Sequence, residues 1–193
     1  MLFRSGNAGR AIGFIAILHR DIDAVALRAS ELGPVPECRI GCSYCCHIRV
    51  EVTDPEVFRI VRRIRQLPVS EVADLIDKLR QRVAEHDVDN VNKRQSCTFL
   101  VENRCTIYED RPATCRKAHS LLAKQCEVFS PEIPQNLKLA VEVEALMTGV
   151  SEAYHDVNLV ASAHELNSAV LLALTDESAE ARWYNGEKIF LTA

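Results

Sequence analysis

Four of the chain's eight cysteines lie in the ten-residue segment CRIGCSYCCH at positions 38–47, a density that few folds can accommodate. The spacers between these cysteines are three, two and zero residues, so a tight loop can direct several sulfurs at one point. The remaining four are dispersed between positions 97 and 126. Thiolates are soft, strongly donating ligands for zinc, iron and iron–sulfur clusters. We therefore expect a metal centre whose ligands are Cys38, Cys42, Cys45, Cys46, Cys97, Cys105, Cys115 and Cys126.

Disulfide bonds are the competing use of so many cysteines. Small secreted domains need them because their cores are small, but a chain of 193 residues can bury a core without them. The adjacent Cys45 and Cys46 also cannot easily pair with each other. Buried structural cysteine is the remaining alternative, and it applies most to the isolated Cys126.

The simplest arrangement folds the four distant cysteines over the clustered four, giving one polynuclear site or two neighbouring sites. His47 and His119 could complete a ligand set. Eight thiols already suffice for two tetrahedral sites, however, so a supporting or solvated role is favoured for both histidines. Arg111 and Arg116 flank Cys115, where they can donate N–H groups to sulfur or form surface ion pairs with Glu109 or Asp110.

Composition limits the remaining partners. The formal net charge of −4 gives no electrostatic reason to expect a nucleic acid, and no stretch approaches the roughly 20 apolar residues of a membrane span. The apolar run 11–18 is short for a signal peptide, and helical spacing continues beyond it through Ile22, Val25 and Leu27. We expect an amphipathic helix there and a cytoplasmic protein. The arginines at 59, 62, 63 and 65 are expected to form a solvated helix face.

Periodicity and capping residues predict a mainly α fold of about six helices with a small β-hairpin around the metal centre. The predicted helices span about 10–32, from a Thr53/Glu56 capping box to Pro68, and 70–86, followed by a loop at 87–96. A hairpin should turn at Glu102-Asn103, and Asp110 should cap the next helix. Segment 135–193 should form two longer helices and a short one, with a second capping box at Ser162/Glu165. We expect residues 1–193 to be a single domain, with region 38–126 flanked by helical segments.

Two motif resemblances bear on the metal. The spacing of Cys38, Cys42 and Cys45, with Tyr44 before the third cysteine, resembles the signature of radical S-adenosylmethionine enzymes. The strand–helix alternation of that family does not follow. The blocks CRIGCSYCCH, VTDPEVFRI and SCTFLVENRCTIYEDRPATCR at 38–116 more closely resemble the CxxCxxCC family, to which zinc or iron chelation is ascribed on the basis of its cysteines. The first spacer here has three residues where the family's name has two.

The same resemblance implies further chemistry for some relatives. Related motifs occur in flagellin lysine methylases, which act on protein lysines and contain an iron–sulfur cluster. The present chain departs from the family pattern after Arg116, where KAHSLLAKQC replaces an aromatic-rich continuation, and the large extra domain of a methylase is missing.

Three functions follow from the sequence. The first is a zinc- or iron-binding protein with a structural or metal-carrying role. The second is an iron–sulfur protein that transfers electrons or modifies a partner protein. The third is an adaptor that binds a protein partner and in which the metal only stabilises the fold. Zinc is the expected metal, and iron or an iron–sulfur cluster is the alternative.

Overall fold

A computed structural model describes residues 8–39, 41–85 and 94–190. The fold is mainly α, as predicted, and the described residues form eight α-helices together with two small antiparallel sheets. The helices are α1 (Ala8–Leu32), α2 (Asp54–Ile64), α3 (Val69–Ala84), α4 (Ala113–Lys117), α5 (Ala123–Glu127), α6 (Leu137–Asp156), α7 (Leu166–Thr175) and α8 (Ala179–Tyr184). The strands are β1 (Glu51–Thr53), β2 (Leu100–Val101), β3 (Arg104–Cys105) and β4 (Ala163–Glu165).

Helix α1 confirms the amphipathic helix predicted near the N-terminus. One stripe is buried along its length, as the apolar spacing requires. The stripe consists of Ala11, Ile12, Ile15, Leu18, Ile22, Val25 and Ala29. Leu27 departs from the prediction, since it lies off this stripe and is largely exposed. No helix in the described ranges is both long enough and apolar enough to cross a membrane.

Helix α2 is the central helix, and its N-terminal signals act as predicted. Thr53 and Glu56 form the capping box, and Pro55 occupies the first turn. The helix ends at Ile64, four residues before Pro68, so the proline does not itself stop it. Helix α3 begins at Val69 and ends at Ala84, close to the predicted limits, and the predicted loop 87–96 falls largely outside the described residues.

The hairpin between β2 and β3 turns where the sequence predicts. Glu102 and Asn103 both have positive φ values, 49° and 60°, which is the geometry of a two-residue turn between twisted strands. The paired strands are only two residues each, shorter than expected. The second sheet, in which β1 pairs with β4 between Val52 and His164, was not predicted, because three-residue strands carry too little alternation.

Two predicted helix caps are wrong. The carboxylate of Asp110 does not cap α4, because it accepts from the Arg59 guanidinium at 2.7 Å, and Pro112 is the residue before that helix. Ser162 lies before β4, and its backbone N–H donates to Asp54 Oδ2 at 2.7 Å. Glu165 caps α7 in its place by accepting from the first backbone amides of the helix.

The C-terminal part confirms two longer helices, α6 and α7, and a short one, α8. The alternating segment LKLAVEVE is helical within α6, as its longer period indicated. The helix count exceeds the predicted six because short helices such as α5 have no readable apolar stripe. Buried apolar side chains from α1, α2, α6, α7 and α8 form one cluster, with the large side chains of Phe58 and Trp183 inside it.

A buried carboxylate connects this core to the cysteine region. Glu56 Oε2 accepts from the backbone N–H of Thr53 at 3.0 Å, while Oε1 accepts from His19 Nε2 at 3.2 Å and from the backbone N–H of Ala113 at 2.6 Å. Burial acts to raise the pKa of Glu56, but these donors outweigh it and leave the pKa below its usual value. Glu56 thereby joins α1, α2 and α4.

We expect Glu56→Gln to lower the free energy of unfolding by about 3 kcal/mol at neutral pH, because buried donors lose an anionic acceptor. The lowered pKa means that the carboxylate stabilises the fold above about pH 4.3 and that this stabilisation is lost as the pH falls through the folded-state pKa. Denaturant titrations between pH 3 and pH 7 measure both effects.

The difference between wild type and Glu56→Gln should therefore shrink towards acid pH. Glu71→Gln on the exposed face of α3 is the matched control and should stay within about 0.5 kcal/mol of wild type. Equal effects of the two substitutions would contradict the assigned role of Glu56.

Candidate metal centre

The eight cysteines occupy several short segments around the hairpin. All eight are free thiols. Cys38 lies in the extended segment after α1, Cys42 lies just before a 3₁₀ turn at Tyr44–His47, and Cys45 and Cys46 lie within that turn. The other four lie before β2, in β3, in α4 and in α5, in the order Cys97, Cys105, Cys115 and Cys126.

Four thiols, which we term the inner group, surround the hairpin: Cys46, Cys97, Cys105 and Cys115. The backbone N–H of Cys97 donates to the Cys46 carbonyl at 2.7 Å, which joins the 3₁₀ turn to the start of the hairpin. Cys105 pairs with Leu100 across the hairpin. The sulfurs of Cys97, Cys105 and Cys115 all lie close enough to that of Cys46 to act electrostatically on its pKa.

The other four thiols, which we term the outer group, are Cys38, Cys42, Cys45 and Cys126. Burial raises the pKa of Cys38, and the three other outer sulfurs add to the effect. The backbone N–H of Ser120 donates to Cys38 Sγ at 3.3 Å and opposes this rise. Helix α5, which carries Cys126, packs against the 3₁₀ turn. No sequence pattern indicated the contact with Ser120, because it depends on the fold bringing residue 120 to residue 38.

Cys45 and Cys46 are the point of contact between the two groups. The interaction between the Cys45 and Cys46 side chains raises the pKa of Cys45 and lowers that of Cys46. Although Cys45 belongs to the outer group, it also lies near Cys105 and Cys115. Cys45 therefore lies between the two groups, whereas Cys46 lies among the inner thiols.

Burial dominates the other inner thiols. It raises the pKa of Cys97 to about 11 and that of Cys115 to about 12. Metal binding must displace these protons, because the thiolate is the ligand. The donor set suits a soft metal, since thiols supply it.

In the arrangement shown, no three Cys, His, Asp or Glu side chains within residues 8–39, 41–85 and 94–190 form a metal-binding set. Closing either group on an ion requires the cysteine side chains to turn about their single χ1 bond, which has three staggered positions. The structure thus brings the thiols into two neighbourhoods but leaves their assignment as ligands a prediction.

The two candidate histidines differ in availability. His119 is buried, and both of its ring nitrogens are engaged: Nδ1 donates to the Lys117 carbonyl at 2.8 Å, and Nε2 accepts from the Asn136 backbone at 2.9 Å. It supports the segment before α6 and has no free nitrogen for a metal. His47 Nδ1 donates to the Ser43 carbonyl at 3.0 Å, one turn earlier in the chain.

The arginines flanking Cys115 have different environments. Arg116 is held by Asp23 Oδ2 at 2.7 Å and by the Glu109 carbonyl at 2.5 Å. Arg111 stacks on Tyr108, with Cζ 3.9 Å from the ring centroid, and its buried Nε has no acceptor among the described residues.

The Arg111 guanidinium acts on the thiols of both groups. Its positive charge opposes the rise in the pKa of Cys45, Cys105 and Cys115. Arg111 is therefore the cation best placed to offset negative charge on the sulfurs.

The arginines predicted to form a basic face on α2 bind partners within the protein. Arg59 pairs with Asp110, Arg62 pairs with Glu180 at 2.5 Å, and Arg65 donates to the Ala173 carbonyl at 3.0 Å. These contacts tie α2 to α7 and α8 and to the segment before α4. Arg63 donates to Gln66 Oε1 at 3.4 Å, so all four arginines have partners within the chain.

We expect Arg111→Gln to weaken zinc binding about tenfold, because the substitution removes the cation nearest to the thiolates. Arg111→Lys should retain most of the affinity. Competition against a chromophoric zinc chelator at fixed ionic strength measures both. Arg104→Gln is the control, since Arg104 precedes Cys105 but is exposed. A similar loss in the Arg104 and Arg111 variants would refute a specific role for Arg111.

Comparison with known proteins agrees with the position of these thiols. A family model described as "CxxCxxCC: Putative zinc- or iron-chelating domain" matches residues 37–134. No curated protein matches the chain, and no solved structure does. The matched segment runs from the residue before Cys38 to beyond Cys126, so it includes all eight cysteines.

Proposed function

The chain belongs to the CxxCxxCC family of zinc- or iron-chelating domains, and we propose that it binds two metal ions, one in each thiol group. Two contacts support this proposal: the Cys97 N–H donates to the Cys46 carbonyl at 2.7 Å, which ties Cys46 to the hairpin, and α5, which carries Cys126, packs separately against the 3₁₀ turn. Each group then offers four sulfurs, the number that a closed tetrahedral site requires. Closed sites of this kind serve structure or metal carriage rather than catalysis.

Zinc is the ion that we propose for both sites. Neighbouring cysteines bind a single tetrahedral ion awkwardly, and this was the sequence-based argument for a polynuclear iron centre. We propose that Cys46 serves the inner ion and Cys45 the outer one, so that neighbouring cysteines do not have to bind the same ion. Zinc also binds thiolate sites more strongly than ferrous iron does.

An iron–sulfur cluster is the second candidate. The spacing of Cys38, Cys42 and Cys45 resembles a three-cysteine cluster cradle, and Cys45 also lies near inner-group sulfurs, as a cluster spanning both groups would require. Such a centre would suit electron transfer or the modification of a partner protein.

A protein partner is the third candidate. Val128 and Phe129, directly after α5, are 60% and 41% exposed. Apolar side chains beside a thiol-rich site favour an adaptor role in which the metal holds a binding surface in place.

The proposed setting is the cytoplasm, with residues 1–193 as one domain. Eight free thiols are typical of a reducing compartment. Neither nucleic acid nor membrane is proposed as a partner, since the net charge is −4 and most arginines of α2 are already paired.

Protein purified without oxygen should be colourless and contain about two zinc ions per chain, because two four-thiolate sites hold one ion each. Elemental analysis and a visible absorption spectrum of the same sample measure this. Stoichiometric iron and sulfide with a broad visible band would favour the cluster instead. A protein without any metal, after zinc has been supplied under reducing conditions, would overturn both assignments.

All eight cysteines should be alkylated once the metal has been removed, because the cell keeps the thiols reduced. Intact-mass spectrometry after alkylation under denaturing conditions, without a reductant, counts them. The metal-bound protein, alkylated in its folded state, should react more slowly, since thiolates bound to a metal are shielded. A set of native disulfides would contradict both the metal site and the cytoplasmic location.

A further inference from the structure

We propose that the two thiol groups release a bound metal ion at different rates. The inner group is a permanent site that supports the fold, whereas the outer group is an exchangeable site from which a metal ion passes to an acceptor bearing its own thiolates. This inference rests on the proposed function, because it requires that both groups bind metal.

Three of the four inner thiols, those of Cys97, Cys105 and Cys115, lie on elements anchored in the core. Cys97 and Cys105 pack against the core cluster, and the residues Phe99 and Ile107, two positions beyond each of them, are buried within it. Cys115 lies in α4, whose first residue is fixed by Glu56. These three thiols therefore separate only if the core around α2 opens as well, and Cys46 is tied to them by the hydrogen bond from the Cys97 N–H to its carbonyl.

The outer thiols lie on segments that have few buried contacts with the core. Residues 34–39 have no regular secondary structure, and neither the 3₁₀ turn at Tyr44–His47 nor α5 contains a buried residue. Cys38 and Cys45 are exposed, whereas no thiol of the inner group is. Two of the four outer cysteine residues are thus exposed.

A few polar contacts hold the outer segments together. The Glu37 N–H donates to the Ser120 carbonyl at 2.9 Å, and Glu37 Oε2 accepts from the Ala123 N–H at 2.7 Å. These join the segment before Cys38 to the start of α5. The contacts orient the outer thiols without burying them, so the segment can open without disturbing the core.

Local opening sets the rate at which an ion leaves. Segments with few buried contacts open at low free energy, whereas core elements open only with global unfolding. At the outer site, an incoming thiolate can bind the ion as one cysteine thiolate leaves it. A proton lost from the acceptor's thiol then neutralises the released cysteine. Repeated exchanges transfer the ion without any change in oxidation state.

The test is the release of zinc from the two-zinc protein into excess chelator, followed by a colorimetric assay at neutral pH. We expect two phases of one equivalent each, with rates at least about tenfold apart, since local and global opening differ widely in free energy. A single phase that releases both ions would overturn the inference. A protein that binds no zinc would instead refute the proposed function.

Two matched variants assign the phases, since each removes one thiol from a five-residue helix. Cys126→Ser should lose the fast phase, retain one zinc and melt within about 3 °C of wild type. Cys115→Ser should lose the slow phase and melt at a clearly lower temperature or fail to fold, because metal binding there contributes to folding. A similar loss of melting temperature in both variants, or loss of the slow phase in Cys126→Ser, would overturn the inference.

Discussion

The buried carboxylate of Glu56 is the interaction on which the architecture depends. It closes the N-terminus of α2, contacts His19 of α1 and fixes the first residue of α4. Removing a charge from water is costly, and it is tolerated here because each carboxylate oxygen accepts at least two hydrogen bonds. The same residue that caps the central helix thus positions the short helix carrying Cys115.

A second buried carboxylate acts on the other side of α2. Asp54 accepts from the Ser162 backbone at 2.7 Å and from His164 Nε2 at 3.1 Å. It fixes the segment that forms β4 beside β1. Because Asp54 and Glu56 bind different neighbours, the first turn of α2 organises both the C-terminal helices and the cysteine region. The cysteine region is thus attached to a fold that has a core of its own.

Much of the fold could be predicted from the sequence, and the exceptions share a physical cause. Helices α1, α2, α3 and α6 are long enough for an apolar stripe to repeat, and α2 also carries an unambiguous cap. Strands β1 and β4 are three residues long, so their pairing depends on tertiary contacts. The misplaced cap at Asp110 arose because Arg59, distant in sequence, binds its carboxylate. A polar side chain near a helix start can cap it only if no stronger partner is available.

The sequence predicted which cysteines belong to the candidate site, but it did not predict which of them lie near one another. Cysteine spacing identified the eight thiols, and the resemblance placed them in the correct family. Sequence proximity suggested that the first four would act together. The structure instead places Cys46 with the hairpin thiols and Cys126 with Cys38. These groupings join residues that are distant in sequence, and cysteine spacing alone does not reveal them. Similarly, nothing in the sequence indicated that both nitrogens of His119 are engaged.

The pairing of Cys38 with Cys126 also bears on how the chain is made. These residues lie at opposite ends of the cysteine region, so synthesis of the second follows the first by several seconds or more at typical translation rates. During that interval the clustered thiols have left the ribosome without any of their distant partners. They are then most exposed to oxidation and to capture of stray metal. Loading of the outer group would therefore be a late event, completed only after α5 has been synthesised and has docked.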